Sequence, residues 1–571
     1  MLIIATDIDR INAAIEKIKQ PLDRTRREEP ILRGGIQAAG LAEFIASMDR
    51  THRALGDLQH SNLRSNQQAI QELQQLLMKG QSDLENDFRN TLREDSNPVE
   101  PLHYITKNIP FPPLNLDNAS KLRVINQYIV SSGVQDGSPE SGQKTARIYA
   151  EVRAPYLRAT LQNLATASVQ TVKKTDPSAP YRQGQSGIGT YCTAMEKLFV
   201  AEFENLSEIF GPAQRNQVHG QVCKQALNDF TKTMNDLNAH IKTHIITDCF
   251  LAYEVVDIVN RLSIRLDSHK FEVKQPIQEA LAPIRDLAKQ SLSRLLEDTR
   301  SRIGSLMTLP ADGAAVPITT ETMSRLQTLT LYVHPLSAIM STMAENSWRL
   351  TGPRPTSKPQ DATSSSTTSP FNTYISDTID ELLTSLENKS SALLRTSKSV
   401  QGVFMLNNLT IIDRALASSP DLASALPDPT RSRLDLWRKK AIALYTDAWR
   451  AAQAILMDQI RTSSSSSSAG ARLSGGAPND AAVLKSLNSK QRDEIKEKFK
   501  NFNAIFDELV ARHKGFRMEK EVKAVLAMDL HRTIEPLYNK FWDRYHEIDK
   551  GKGKYVKYDK GQLAAVLGSL G

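Results

Sequence analysis

Apolar residues at alternating intervals of four and three run through the first two long segments of this chain. Ile4, Ile8, Ile11, Ile15, Ile18 and Leu22 are spaced 4, 3, 4, 3 and 4 residues apart, which lays one apolar seam along a helix. After the Gly34-Gly35 break, Ile70, Leu73, Leu77, Leu84, Phe88 and Leu92 continue the helical pattern as far as Asn97-Pro98. The positions between are rich in Gln and Glu. Helices this polar are marginal alone in water, because most helical stability comes from burying the apolar face. The seam from Ile4 to Leu22 therefore requires a companion, either its own hairpin return or another chain, and is the candidate partner-binding surface.

Composition points the same way. Aromatic residues are 6% of the 571, Gly and Pro number 26 each, and Leu, Ala, Gln and the charged residues dominate, a mixture that favours helices over strands. A chain this long exceeds what one core accommodates, so several packed units are expected. Pro110, Pro112 and Pro113 exclude helix interior from residues 105–117, since proline lacks the amide hydrogen and its ring clashes with the preceding turn. Further breaks fall at Gly133 to Gly142, Asp176 to Gly189, Gly211-Pro212 and Leu309 to Pro317. Residues 351–370 and 462–480 have linker composition, and phosphorylation there would place negative charge near a basic surface. The chain is expected to be all-α and divided into consecutive helical bundles. N-terminal coiled-coil helices would occupy 1–75, with bundles over 76–190, 191–350 and 371–461 and a basic C-terminal bundle over 481–571.

Catalytic signatures are missing. There is no G-x-x-x-x-G-K-[ST] loop, no H-E-x-x-H and no C-x-x-C pair, and Gly184 to Gly189 fits neither G-x-S-x-G nor G-x-G-x-x-G. The expectation is a non-enzyme with no cofactor, metal or small-molecule substrate. The one foothold for metal chemistry is His240 and His244, four apart on one helix face, with Asp248 a turn further on. Ile241 stands where a zinc protease has its glutamate, and His240 to Asp248 would span about 12 Å of continuous helix, too far to share an ion. Cys192, Cys223 and Cys249, odd in number and widely separated, read as buried apolar side chains in a reducing cytosol. No run of about 18 apolar residues occurs, and MLIIATDIDR meets acid too early for a signal-peptide core, so a soluble, non-secreted chain is expected. The N-x-[ST] triplets at Asn118, Asn205, Asn388 and Asn408 then read as chance matches.

Net charge is +8, and residues 490–571 hold 18 Lys and Arg against 13 Asp and Glu. There Ile495, Phe499, Phe502, Phe506 and Leu509 form an apolar stripe with Lys496, Lys498 and Lys500 largely outside it. A second helix should face inward with Val522, Val525, Leu526, Leu530, Ile534, Leu537 and Phe541, kinked or divided at Pro536. The run KGKGKYVKY follows, with Lys550, Lys552, Lys554 and Lys557 beside Tyr555 and Tyr558, and Lys560 just beyond. No acid interrupts the four lysines, and such a positive tip suits a phosphate-rich surface, where each basic side chain is worth about 1 kcal/mol. No nucleic-acid fold motif accompanies them, so nucleic acid is not expected as a partner. An acidic protein or a cytoskeletal partner is the alternative that charge alone leaves open.

These residues also carry a family resemblance. EKFKNFNAIFDELV, EPLYNKFWDRYHEI and KYVKY, in that order near the C-terminus, resemble the 70-kDa subunit of the exocyst in its fungal form. APYRQGQSGIGTY, TKNIPFPP, TMSRLQ and FMLNNLTIID resemble the same family at corresponding places, so the likeness covers nearly the whole chain. It implies an elongated rod of consecutive helical bundles, of the kind shared by multisubunit tethering complexes. It also implies assembly with the other exocyst subunits through the N-terminal helix, and tethering of secretory vesicles to the plasma membrane. Phosphatidylinositol 4,5-bisphosphate and Rho-family GTPases are the further partners implied, with a cytoplasmic chain recruited peripherally to the plasma membrane at sites of polarised growth and division. Family-basic positions map onto Lys550, Lys554 and Lys557, while one is Gly553 here, with Lys552 adjacent.

Overall fold

The computed structural model describes residues 8–10, 12, 23, 26–60, 66–135, 141–173, 176, 179–350, 369–395, 397–457, 487–549 and 553–571. Every regular element among the described residues is helix, and none is strand. The all-α expectation holds. The compositional linkers fall outside the described residues, apart from 369 and 370. The chain divides into two compact units, Met1–Ala288 and Lys289–Gly571.

In the first unit, Gly35 and Gly40 stand at φ 78° and 82°, backbone that glycine adopts without steric cost, and they interrupt the helices where the sequence marks a break. Helices Leu41–His60 and Gln67–Glu94 then pack together through Ala54, Leu55, Leu58 and Leu73. Ser141–Gln170 lies along Pro212–Thr243, with Leu116–Gln135 and Ile188–Ile209 packed on the first of them. The proline-rich connector is pinned to this bundle. Phe111 is buried and stacks on Tyr104 at 5.0 Å, and the Leu114 amide donates to Asn205 Oδ1 at 3.0 Å. A buried ion pair ties three elements: Arg153 Nη2 donates to Glu202 Oε2 at 2.6 Å, and its Nη1 donates to the Asp95 carbonyl at 2.8 Å. Cys192, Cys223 and Cys249 are free and buried, and burial pushes the Cys192 thiol up to about 12.

The second unit is built around Lys398–Ser418, buried on all faces from Ser399 to Leu409. A helix covered all round must be central. Its two asparagines serve the loops that flank it. Asn407 donates to the carbonyls of Gly313 and Arg517 at 2.7 and 2.9 Å and accepts from the Glu519 amide at 2.9 Å. Asn408 Oδ1 accepts from the Thr319 hydroxyl at 2.6 Å. Gly402 brings Asp428–Thr446 against this helix: a Cβ there would stand 2.7 Å from both the Ala441 oxygen and the Tyr445 nitrogen. Asn205 and Asn408 are thus both buried, in line with reading their N-x-[ST] triplets as chance.

Candidate functional site

Four elements of the second unit shape the lysine tip. Helix Ser489–Gly515 opens on a capping box, in which the Asn488 side chain accepts from the Gln491 amide and Gln491 returns the bond. Its buried face includes Ile495, Phe499, Phe502, Phe506 and Leu509, the stripe that periodicity predicts. Opposite, Lys520–Tyr545 contributes Val522, Leu526, Leu530, Ile534, Tyr538, Phe541 and Tyr545. Phe502 stacks on Tyr538 at 5.1 Å, and Phe499 meets Phe541 at 4.9 Å. Of the two outcomes expected at Pro536, division does not occur, since the helix runs unbroken through it. Val525 and Leu537, expected to face inward, are only half-buried, because the unbroken helix keeps the four-residue steps from Val522 to Leu526 and from Ile534 to Tyr538.

The 3-10 turn His546–Asp549 leads into the loop. Asp549 is buried, and its Oδ2 accepts from the Tyr555 and Val556 amides at 2.9 and 3.3 Å, closing the loop on itself. Gly553 stands at φ 63°, a left-handed backbone that glycine adopts without steric cost, and it turns the loop just before Lys554. Asn503 donates to the Tyr555 carbonyl at 2.8 Å, and the Tyr538 hydroxyl donates to the Tyr558 carbonyl at 2.6 Å. Asp507 accepts from the Tyr558 hydroxyl. Asp559 then caps the last helix, Lys560–Gly568, in a second capping box with Gln562. Asn503, Asp507, Tyr538 and Asp549 hold the loop, yet sequence reasoning named none of them as site residues.

Lys550 and Lys552 lie outside the described residues. Lys554 is exposed, its Nζ 5.4 Å from the centre of the Tyr555 ring, which Lys496 also approaches at 5.8 Å. Lys557 pairs with Asp507, whose hydrogen bond holds the ammonium pKa above its ordinary value, and lies over Tyr558. Lys560 pairs with Asp543 and lies over Trp542. Such exposed pairs contribute little to stability and exchange readily for another anion. Lys500 faces solvent, but the Lys498 side chain, expected outside the apolar stripe, is only 12% exposed and pairs with Glu494. Of the N-terminal seam only Ile8 is described, helical and 51% exposed; Ile4, Ile11, Ile15, Ile18 and Leu22 lie outside the described residues.

The histidine pair departs from expectation. Helix Pro212–Thr243 ends before His244, and Ile245–Ser268 begins after it, with His244 at φ −121° and ψ 40°. The break returns Asp248 toward His240, whose Nε2 stands 2.9 Å from Asp248 Oδ2. One donor atom from each of His240, His244 and Asp248 lies within 4.8 Å of the others. The wide separation expected from the sequence presumed a continuous helix.

The fold and the tip define a helical scaffold protein whose terminal bundle displays a braced cationic loop; no helix among the described residues is long and apolar enough to cross a membrane. Residues 11–94 match the family model for the N-terminal region of the exocyst complex component Exo70, and residues 185–569 match that for the C-terminal region of the Exo70 exocyst complex subunit. The chain belongs to the Exo70 family of exocyst subunits. It is 44% identical to an exocyst complex protein exo70 of Neurospora crassa, across 100% of this chain and 90% of that protein. Against the EXO70 protein of Gibberella zeae the identity is 43%, across 100% and 89%. A solved structure of Saccharomyces cerevisiae Exo70 matches with a TM-score of 0.74 at 21% identity, covering 97% of this chain and 98% of that one. The family is one of structural exocyst subunits rather than of enzymes, and membership makes the chain a component of the exocyst, with the other exocyst subunits as partners.

Proposed function

We propose that this chain acts in the exocyst as a tether, holding secretory vesicles at the plasma membrane before fusion. In this reading its C-terminal tip binds phosphatidylinositol 4,5-bisphosphate through Lys550, Lys552, Lys554, Lys557 and Lys560. The observation that carries the reading is the bracing of the tip. Asp549, Asn503 and Tyr538 hold the loop backbone, so Lys554, Lys557 and Lys560 occur on an anchored stretch. Anchoring lowers the entropy lost when several lysines engage one anionic surface together. The Ile4 to Leu22 seam pairs with helices of partner subunits, Rho-family GTPases engage the assembled chain as their effector, and recruitment is peripheral, at sites of polarised growth and division.

Vesicle flotation of the full chain tests the lipid arm. Vesicles containing phosphatidylinositol 4,5-bisphosphate should carry the chain upward, and replacing the five lysines with Gln should abolish this. Binding that survives the replacement removes the tip from the site and favours an acidic or cytoskeletal protein as its partner. Deleting residues 1–75 should release the other exocyst subunits in a pull-down while flotation persists. For the GTPase arm, capture by GTP-loaded but not GDP-loaded Rho protein is the expected result.

A further inference from the structure

We propose that His240, His244 and Asp248 form a binding site for a divalent transition metal of the zinc class, at the junction of helices Pro212–Thr243 and Ile245–Ser268. Two imidazoles and a carboxylate are a donor set that zinc takes in four-coordinate sites, with the remaining position left to water. Three features of the junction fit that use. First, donor atoms of all three residues lie within 4.8 Å of one another, although the residues are four apart in sequence. Second, His240 Nε2 and Asp248 Oδ2 already meet at 2.9 Å, so an outward shift of a few tenths of an ångström reaches the roughly 3.3 Å between two tetrahedral ligands at bonds of about 2.0–2.1 Å, and an ion can take the place of their direct contact. Third, His244 Nδ1 is 3.2 Å from the His240 carbonyl oxygen. That oxygen can only accept, so Nδ1 carries the hydrogen and the lone pair stands on Nε2, the arrangement that orients metal-binding histidines.

The junction is also held in shape independently of any ion. The Thr247 and Asp248 amides both donate to the His244 carbonyl, at 3.1 and 2.8 Å, and the Thr247 carbonyl accepts from the Tyr181 amide at 2.9 Å. Asp248 is buried, whereas 18% of the His240 side chain reaches solvent, which gives an ion a route in. An ion bound here would clamp the two helices across their break.

The test uses the tag-free full chain, stripped with a chelator and titrated with zinc sulfate against a chromophoric competitor, and in parallel with cobalt(II) chloride. One equivalent per chain is expected, with cobalt d–d absorption and a melting temperature that rises with zinc and falls back with EDTA. His240→Gln and His244→Gln should each weaken zinc by roughly tenfold or more. His531→Gln, at an exposed histidine of the C-terminal bundle, should change nothing. A wild-type chain that shows no cobalt bands and retains no zinc overturns the proposal without any variant. So does unchanged stoichiometry in the double His240→Gln, His244→Gln chain with a wild-type circular dichroism spectrum.

Discussion

Arg153 and Glu202 are 2% and 1% exposed, and each carries the charge that balances the other inside the core. Removing one charge strands the other, which costs about 3–5 kcal/mol, whereas replacing both with apolar side chains of similar volume is often close to neutral. Glu202→Gln should therefore lower the urea midpoint sharply, and the double Arg153→Met, Glu202→Leu chain should regain most of it. A double variant as unstable as the single would mean that the hydrogen bond from Arg153 to Asp95 matters more than the charge balance. Gly402 is the other position where one side chain decides. Its absent Cβ would meet backbone on the facing helix rather than a side chain that can move, so Gly402→Ala should cost about 1–3 kcal/mol, read by chemical denaturation. A glycine inside a helix is visible in sequence, but the helix it must admit is not.

At the scale of elements, the helix boundaries set by glycine and proline were legible because their signals are local, whereas the break at His244, which carries neither residue, was not. Gly35 and Gly40, the prolines of the connector and the Gly211-Pro212 pair stop or start helices through their own backbone chemistry. Which helices meet is a different matter, and His513 shows it. It is buried at the end of Ser489–Gly515, where its Nδ1 accepts from the Tyr445 hydroxyl at 2.6 Å and its Nε2 hydrogen goes to the Leu570 carbonyl at 3.0 Å. Burial lowers its pKa below the ordinary 6.5, with Lys523 and Lys514 adding to the effect and the Leu570 bond opposing it. The unfolded chain takes up this proton first as pH falls, so the stability it contributes is complete above about 6.5 and is lost as pH falls through the lower folded value. All four tryptophans lie in the second unit, so their fluorescence reports on it alone. Melting followed this way should fall on acidification from about pH 7.5 to 5.5, and less steeply in His513→Gln. Equal slopes would assign the acid sensitivity to other groups.

For the whole molecule, the net charge of +8 raises the question of whether lipid attraction belongs to the tip or to the chain at large. Replacing five exposed lysines and arginines away from the tip removes the same charge as the tip variant. Vesicle binding should survive that control and fail only in the tip variant, and it should weaken with added salt, because exposed charges are screened beyond about 8 Å at physiological ionic strength. Equal loss in both variants would return the attraction to net charge.

The all-α class, the glycine and proline breaks between helices and the terminal aromatic stripe followed from the sequence by itself, because periodicity, proline and glycine act within a few residues. The exocyst family was legible there too, in motifs such as KYVKY and FMLNNLTIID. Tertiary structure alone decided that Asn407 joins loops on both sides, that Asn503 reaches Tyr555 across 52 residues, and that Asp507 and Asp543 already hold two tip lysines. It also decided that His240 and Asp248 meet. These contacts depend on where the backbone turns and which helices pack, and a pairing between distant residues leaves no periodic trace in the chain that makes it.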